Sequence, residues 1–212
     1  TSSASFNVAE NQTTIGTVSA ADPESATLTY SVSDGSSVIS INSSTGALSF
    51  DTAPNYEVKS RYPASGSSGE AYIISVTDGT NASTQSLTIV ITDVNEAPAF
   101  TSSATFSANE NQTAIGTVAA SDVDGDTITY SISGSDITIN SSSGVIAFAS
   151  APNYETKSSY TATVTANDGT NSTTQAITVN VTDVSEAPTF TSSATFSANE
   201  NQTAIGTVAA SD

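Results

Sequence analysis

A segment of about 22 residues recurs three times along the chain, and this recurrence limits the possible folds more than any other feature. It reads TSSASFNVAENQTTIGTVSAAD from Thr1 and TSSATFSANENQTAIGTVAASD from Thr101, and the second string returns letter for letter from Thr191. The starts lie 100 and then 90 residues apart. Such a period marks tandem copies of one structural unit. Further blocks recur in the same order: Thr29-Tyr30 and Thr129-Tyr130, then Ala53-Pro54-Asn55-Tyr56-Glu57 and Ala151-Pro152-Asn153-Tyr154-Glu155. Asp78-Gly79-Thr80-Asn81 and Asp168-Gly169-Thr170-Asn171 follow. The units close with Thr92-Asp93-Val94-Asn95-Glu96-Ala97-Pro98 and Thr182-Asp183-Val184-Ser185-Glu186-Ala187-Pro188.

The expected division is therefore repeat 1 over 1–98, repeat 2 over 99–188 and the start of a third repeat over 189–212. Repeat 1 is longer by two residues around Asp34 to Val38 and by the Gly/Ser/Pro-rich stretch PASGSSGE between Tyr62 and Glu70. Both read as lengthened loops, which add little closure entropy and leave the fold unchanged. The chain opens on Thr1 without Met or a signal peptide and reads as an excerpt of something longer. Phe196, Ile205 and Val208 of the third copy are expected to have no core to enter.

Within a unit the pattern is that of strands. Tyr160 to Ala166 alternates apolar residues with Thr, and Ile177, Val179 and Val181 repeat the alternation after an Asp168-Gly169 turn. Thr105 to Ala108, Ile115 to Ala120, Ile128 to Ile132, Ile137 to Ile139 and Val145 to Phe148 complete about seven strands in roughly 90 residues. That count suits an all-β, seven-stranded Greek-key sandwich repeated in tandem. No segment sustains a 3.6-residue period.

Composition narrows the chemistry. Three Lys+Arg stand against 21 Asp+Glu, a net charge of −18, with no His, Cys, Met or Trp. Without His or Cys there is no Ser-His-Asp or Cys-His nucleophile and no imidazole or thiolate zinc site. Three cations cannot neutralise a nucleic-acid backbone, and an anionic membrane surface repels such a chain. No apolar run of about 18 residues is present to insert in a bilayer. Ser and Thr make up about a third of the residues, far above ordinary usage. With no disulfide and no Trp, a sandwich this poor in large side chains needs another staple, and the carboxylates are the candidates.

Those carboxylates fall at repeat-specific positions. Glu10, Glu57, Asp93 and Glu96 lie at strand edges or at the end of repeat 1, and Asp122, Asp124 and Asp168 lie at the entry strand and an upper loop of repeat 2. If units stack end to end, all seven converge near Pro98. Like charges so close stay ionised only when a cation joins them. Hard oxygen ligands select calcium, which takes about 6–8 oxygens at ~2.3–2.6 Å. Asn55, Asn95 and main-chain carbonyls would add further oxygens.

On these residues the chain resembles tandem cadherin repeats of the bacterial, cadherin-like kind. The resemblance rests on Glu10 and Glu110 near each start, Asp122-Val123-Asp124, and Asn55-Tyr56-Glu57 and Asn153-Tyr154-Glu155 in place of an Asp-Arg-Glu block. It extends to Asp78 and Asp168 before the last hairpin and to the linkers around Asp93 and Asp183. It implies calcium bound between successive repeats. At the second junction it implies Glu110, Asn153, Glu155, Asp183 and Glu186 as ligands, with Asp212 from the third repeat. Asn replaces the first Asp of the Asp-Arg-Glu block in both units, Glu96 stands for Asp, and Ser185 replaces a linker Asn. The second junction is therefore expected to hold one ion less tightly. Asp22-Pro23-Glu24 would serve an upstream junction.

The expected function is an extracellular or cell-surface, calcium-rigidified segment of a long adhesin or surface fibre, not an enzyme. Its partners are neighbouring repeats of the same chain. Other readings use the same features: a filament in which 191–212 complete an identical subunit by strand addition, or a glycan-binding module of a secreted enzyme. Tyr56 and Tyr154 could stack on a ligand, but core or junction packing is the favoured reading. The Asn-x-Ser/Thr triplets at Asn11, Asn42, Asn81, Asn111, Asn140, Asn171 and Asn201 arise by chance in so Ser/Thr-rich a chain. Paired carboxylates could serve a glycosidase, but repetition of the whole unit argues for architecture. Asp34, Asp51 and Glu70 read as solvated surface. Lys59, Arg61 and Lys157 follow the Asn-Tyr-Glu blocks and are expected to offset part of the charge.

Overall fold

The computed structural model describes residues 5–35, 37–58 and 70–211. The chain divides into two compact units, Thr1–Glu96 and Ala97–Asp212. In the first, the strands are β1 (Ser5–Ala9), β2 (Thr14–Thr17), β3 (Thr29–Val32), β4 (Ile39–Ile41), β5 (Ala47–Phe50), β6 (Glu70–Thr77) and β7 (Ala82–Thr92). In the second they are β8 (Ala99–Phe100), β9 (Thr105–Asn109), β10 (Ala114–Thr117), β11 (Ala120–Ser121), β12 (Thr129–Ile132), β13 (Ile137–Ile139) and β14 (Val145–Phe148). They continue with β15 (Ser159–Asn167), β16 (Ser172–Thr182), β17 (Thr189–Phe190) and β18 (Ala210–Ser211). Among the described residues no helix is long and apolar enough to cross a membrane.

Each unit is an all-β sandwich of a four-stranded and a three-stranded sheet. The orders are β1-β7-β6-β3 with β2-β5-β4, and β9-β16-β15-β12 with β10-β14-β13. The alternation along β16 turns Ile177, Val179 and Val181 inward, all 5 % exposed or less. They join Val118, Ile137, Ile146, Phe148 and Val164 in one core. Leu87, Ile89 and Ile91 of β7 do the same beside Leu48, Phe50 and Ile74 in the first unit. Each such side chain contributes about 1.5–3 kcal/mol on burial.

Within each unit one strand pairing is parallel: β1 with β7 and β9 with β16, the latter from Thr178↔Thr105 to Thr182↔Asn109. The two strands of each parallel pair therefore leave their sheet at the same end.

Expectation and structure differ where one strand was drawn over Ile115 to Ala120. β10 stops at Thr117, Val118 turns fully into the core, and its N–H donates to the Gly144 carbonyl at 2.9 Å. The chain resumes as β11, which pairs with β8 (Ala120↔Phe100) and is held by the Ala120 N–H donating to the Tyr130 hydroxyl at 3.0 Å. Phe100 thereby packs against the core of the second unit. The insertion near Asp34 lengthens the β3–β4 connection, whereas the second insertion lies outside the described residues apart from Glu70, which opens β6. Two of the Asn-x-Ser/Thr triplets hold hairpin turns: Asn42 and Asn140 each accept two main-chain N–H bonds through the side-chain oxygen. Phe196, Ile205 and Val208 are 41, 66 and 62 % exposed, as their lack of a core requires.

Gly144 closes the β13–β14 turn at φ 69°, and a Cβ there would collide with the Val118 carbonyl oxygen. Gly144→Ala is expected to destabilise the second unit by at least about 2 kcal/mol, combining left-handed backbone strain with the clash. Denaturant unfolding checks this, and an unchanged midpoint would contradict it.

Candidate metal centre

The parallel pairing sets the geometry. Because Asn109 and Thr182 are partners at the ends of β9 and β16, Glu110 and Asp183 emerge side by side. The Glu110 N–H still donates to the Thr182 carbonyl (3.1 Å), while the next N–H, of Asn111, donates to the Pro152 carbonyl (3.0 Å) and draws in a third segment. The Glu110 side chain, 2 % exposed, then bridges the other two segments. Its Oε2 accepts the Tyr154 N–H at 2.9 Å and its Oε1 the Val184 N–H at 2.8 Å. The first unit repeats this: Glu10 accepts the Tyr56 N–H at 2.7 Å and the Val94 N–H at 3.0 Å, and Asn11 donates to the Pro54 carbonyl.

Those two N–H groups, Tyr154's first and Val184's second, hold the Glu110 carboxyl below its ordinary pKa, against burial acting in the opposite sense. The group thus stays anionic in a buried position, facing further anions.

Three segments brought to one sheet end bring their acids with them. Glu110, Glu155, Asp183 and Glu186 each offer a carboxylate oxygen within 4.8 Å of the others. In the first unit Glu10, Glu57 and Asp93 form the corresponding group, and Glu57 and Glu96 also bring oxygens within 4.8 Å of each other. At such separations each anionic pair repels by about 1 kcal/mol in bulk water and by several times more where water is excluded. Lys157 does not relieve this. Its ammonium donates to Asp136 Oδ2 at 2.7 Å and lies 4.0 Å above the Tyr160 ring, so the expected charge offset by Lys157 is corrected. Lys59 and Arg61 lie outside the described residues.

Around the second cluster is an open cleft of about 640 Å³, lined by Asn111, Asn153, Glu155, Asp183, Glu186 and Ser211 among others. Its donor set is entirely oxygen, exposed at three of the four carboxylates and anchored at the fourth. This fits a hard cation of calcium's size and flexible coordination, and does not fit a metal requiring nitrogen or sulfur.

The other site residues from the sequence make local hydrogen bonds of their own. Asn55 and Asn153 use their side-chain oxygens to hold the local turns, accepting from Val58 N–H (2.7 Å) and Thr156 N–H (2.8 Å), which positions Glu57 and Glu155. Asn95 donates its amide to the Glu96 carbonyl. Asp122, Asp124 and Asp168 belong to the opposite end of the second sandwich, since Thr129 at the start of β12 pairs with Asn167 at the end of β15. There Asp122 Oδ1 accepts the Asp124 and Asp126 N–H groups, and Asp168 Oδ1 accepts those of Thr170 and Asn171. Asp78 forms the same turn in the first unit, and the N–H groups of Asn81 and then Thr80 lower its pKa. Asp212 lies outside the described residues. Tyr56 packs on the first core, while Tyr154 is 39 % exposed.

Asn11 and Asn111 were missed as site residues. Each sits in the left-handed region, at φ 62° and 60°, and each donates its side-chain amide to a linker carboxylate, Glu96 and Glu186 respectively. The signal available was the invariable Glu-Asn-Gln triplet in all three copies, since Asn tolerates positive φ.

Residues 102–182 match the family model of the Cadherin domain. The fold is similar to solved cadherin segments. Mouse Cadherin-23 EC22-24 aligns with a TM-score of 0.59 and 22 % identity, covering 97 % of this chain and 73 % of that one. Drosophila N-cadherin EC1-4 aligns with a TM-score of 0.58 and 21 % identity over 85 % of this chain, which spans 48 % of the N-cadherin chain. Human Protocadherin-24 EC1-2 gives 0.57 and 20 %, over 86 % and 95 % of the two chains. Comparison with curated protein sequences finds no match. Each unit thus has a fold similar to that of solved cadherin segments, and its all-β sandwich is the architecture expected from the strand pattern.

A folded-state pKa below the ordinary glutamate value, about 4.3, means Glu110 contributes stability that is fully present above that pH. The contribution is lost as pH falls through the lowered value. In metal-free buffer, Glu110→Gln is expected to unfold at lower urea than wild type at pH 6, with the gap narrowing towards pH 2. A gap independent of pH would contradict the anionic bridge.

Proposed function

We propose that each repeat holds calcium at its trailing end, and that the chain is a calcium-rigidified structural or adhesive segment of a long extracellular repeat protein without enzymatic activity. The observation that carries this reading is the gathering of Glu110, Glu155, Asp183 and Glu186 oxygens within 4.8 Å of one another. Four anions so close destabilise the unit unless a cation joins them. The cadherin-like architecture supports the same reading, because cadherin domains typically bind calcium as non-enzymatic extracellular modules.

In this reading Glu110, Glu155, Asp183 and Glu186 are the ligands of the second repeat, with Asp212 contributed by the third. Glu10, Glu57, Asp93, Asn95 and Glu96 act for the first repeat, with Asp122, Asp124 and Asp168 contributed by the second. Asn55 and Asn153 add side-chain oxygens to the two sets and also position the Glu57 and Glu155 loops. Bound calcium supplies charge neutralisation and a geometric constraint. Glu110 holds three segments in register through its N–H bonds, so the exposed acids converge before any ion arrives. Ligands drawn from two successive repeats would remove hinge freedom between them. Extracellular modules of this kind bind calcium with Kd about 10⁻⁴–10⁻³ M, which places them in register with the medium outside a cell and not with cytosol.

At free calcium ~100 times Kd one site adds about 2.7 kcal/mol of stability. Calcium is therefore expected to raise the unfolding temperature and chelator to reverse the rise. The double variant Glu155→Gln, Asp183→Asn is expected to melt higher than wild type without metal, through relief of repulsion, and to lose most of the calcium-dependent rise in the second repeat. Calorimetry with and without chelator reads both signs. Melting curves that ignore calcium, or a variant that keeps the full shift, would contradict the reading.

A further inference from the structure

Three of the four clustered acids ride on exposed, irregular chain, and Glu186 sits furthest along the linker after β16. A glutamate there has free rotation about its side-chain bonds and loses that freedom on joining a cluster of like charges. One neutral group meets it: Asn111 donates its amide to Glu186 Oε1. Being uncharged, this donor orients the carboxylate without neutralising it, as a lysine would. The contact recurs in the first unit between Asn11 and Glu96.

The backbone of Asn111 makes the contact possible. Its φ of 60° turns the N–H to the Pro152 carbonyl and the side chain to the linker. In the third copy Asn201 holds φ 63° although its segment 195–199 forms no strand. The left-handed turn is thus a local property of Glu-Asn-Gln, and the amide bond to the linker acid is a separate feature placed upon it.

We infer that Asn111 is a positioning residue of the metal centre: its amide ties one oxygen of Glu186, orients the carboxylate to the cluster and leaves the second oxygen for the cation. Asn11 has the same part towards Glu96. This rests on the calcium reading above.

The test uses the full chain. Asn111→Gly keeps a residue at ease with positive φ and removes the amide. In calcium titrations followed by NMR at the Val184 and Tyr154 N–H groups, this variant is expected to bind about fivefold more weakly, the worth of one hydrogen bond. Its metal-free unfolding temperature should fall only slightly, by the loss of this one exposed bond, which already exists without metal. Glu186→Ala should weaken binding too, and adding Asn111→Gly to it should weaken binding no further. In metal-free wild type the Asn111 side-chain amide protons should exchange slowly, and Glu186→Ala should speed them. Wild-type affinity in Asn111→Gly, additive losses in the double variant, or amide exchange indifferent to Glu186→Ala would each overturn the inference. A wild-type chain that binds no calcium would instead defeat the calcium reading, while amide exchange still reports on the Asn111–Glu186 contact.

Discussion

The site depends on a carboxylate that acts first as structure. Glu110 and Glu10 each sit where a parallel strand pair ends, and each accepts two main-chain N–H bonds from segments distant in sequence. In a sandwich without disulfide or tryptophan, these bridges fasten the loop after β14 (or β5) and the linker to the end of the sheet. Hydrogen bonds to a charged acceptor are about twice as strong as neutral ones. An acid at this position therefore does work that a glutamine cannot, because its amide group would face an N–H donor.

That fastening has an electrostatic consequence. The segments gathered by Glu110 carry Glu155, Asp183 and Glu186, so the order imposed by hydrogen bonding concentrates negative charge. Nearby positive charge is directed elsewhere, with Lys157 held by Asp136 and Tyr160. Fold and function meet in this opposition: the backbone wants the three segments together and the charges want them apart. The divalent cation proposed above would resolve it.

Much of this was legible in the sequence. The repeat and the alternation of β15 and β16 led directly to the all-β, seven-stranded sandwich, and Ile137 to Ile139 and Val145 to Phe148 are strands over those same bounds. The family resemblance implies Glu110, Asn153, Glu155, Asp183, Glu186 and Asp212 as one set, and four of these bring carboxylate oxygens within 4.8 Å of one another. The break at Val118 was not legible, because a buried valine looks the same in a continuous strand as in a chain crossing between sheets. Nor was the capture of Lys157 by Asp136, a contact between loops 21 residues apart that no local pattern records. Asn111 escaped notice because its part depends on φ and on a linker 75 residues away. Asn153, expected as a ligand, lines the cleft, and its oxygen also accepts the Thr156 N–H, a local bond that the sequence pattern did not reveal.

The most direct measurement is an anomalous difference map from crystals of the chain grown in millimolar calcium. The expected result is a peak coordinated by Glu110, Glu155, Asp183 and Glu186 oxygens at calcium distances, about 2.3–2.6 Å. A well-ordered map with these four side chains turned into solvent and no peak among them would contradict the central claim.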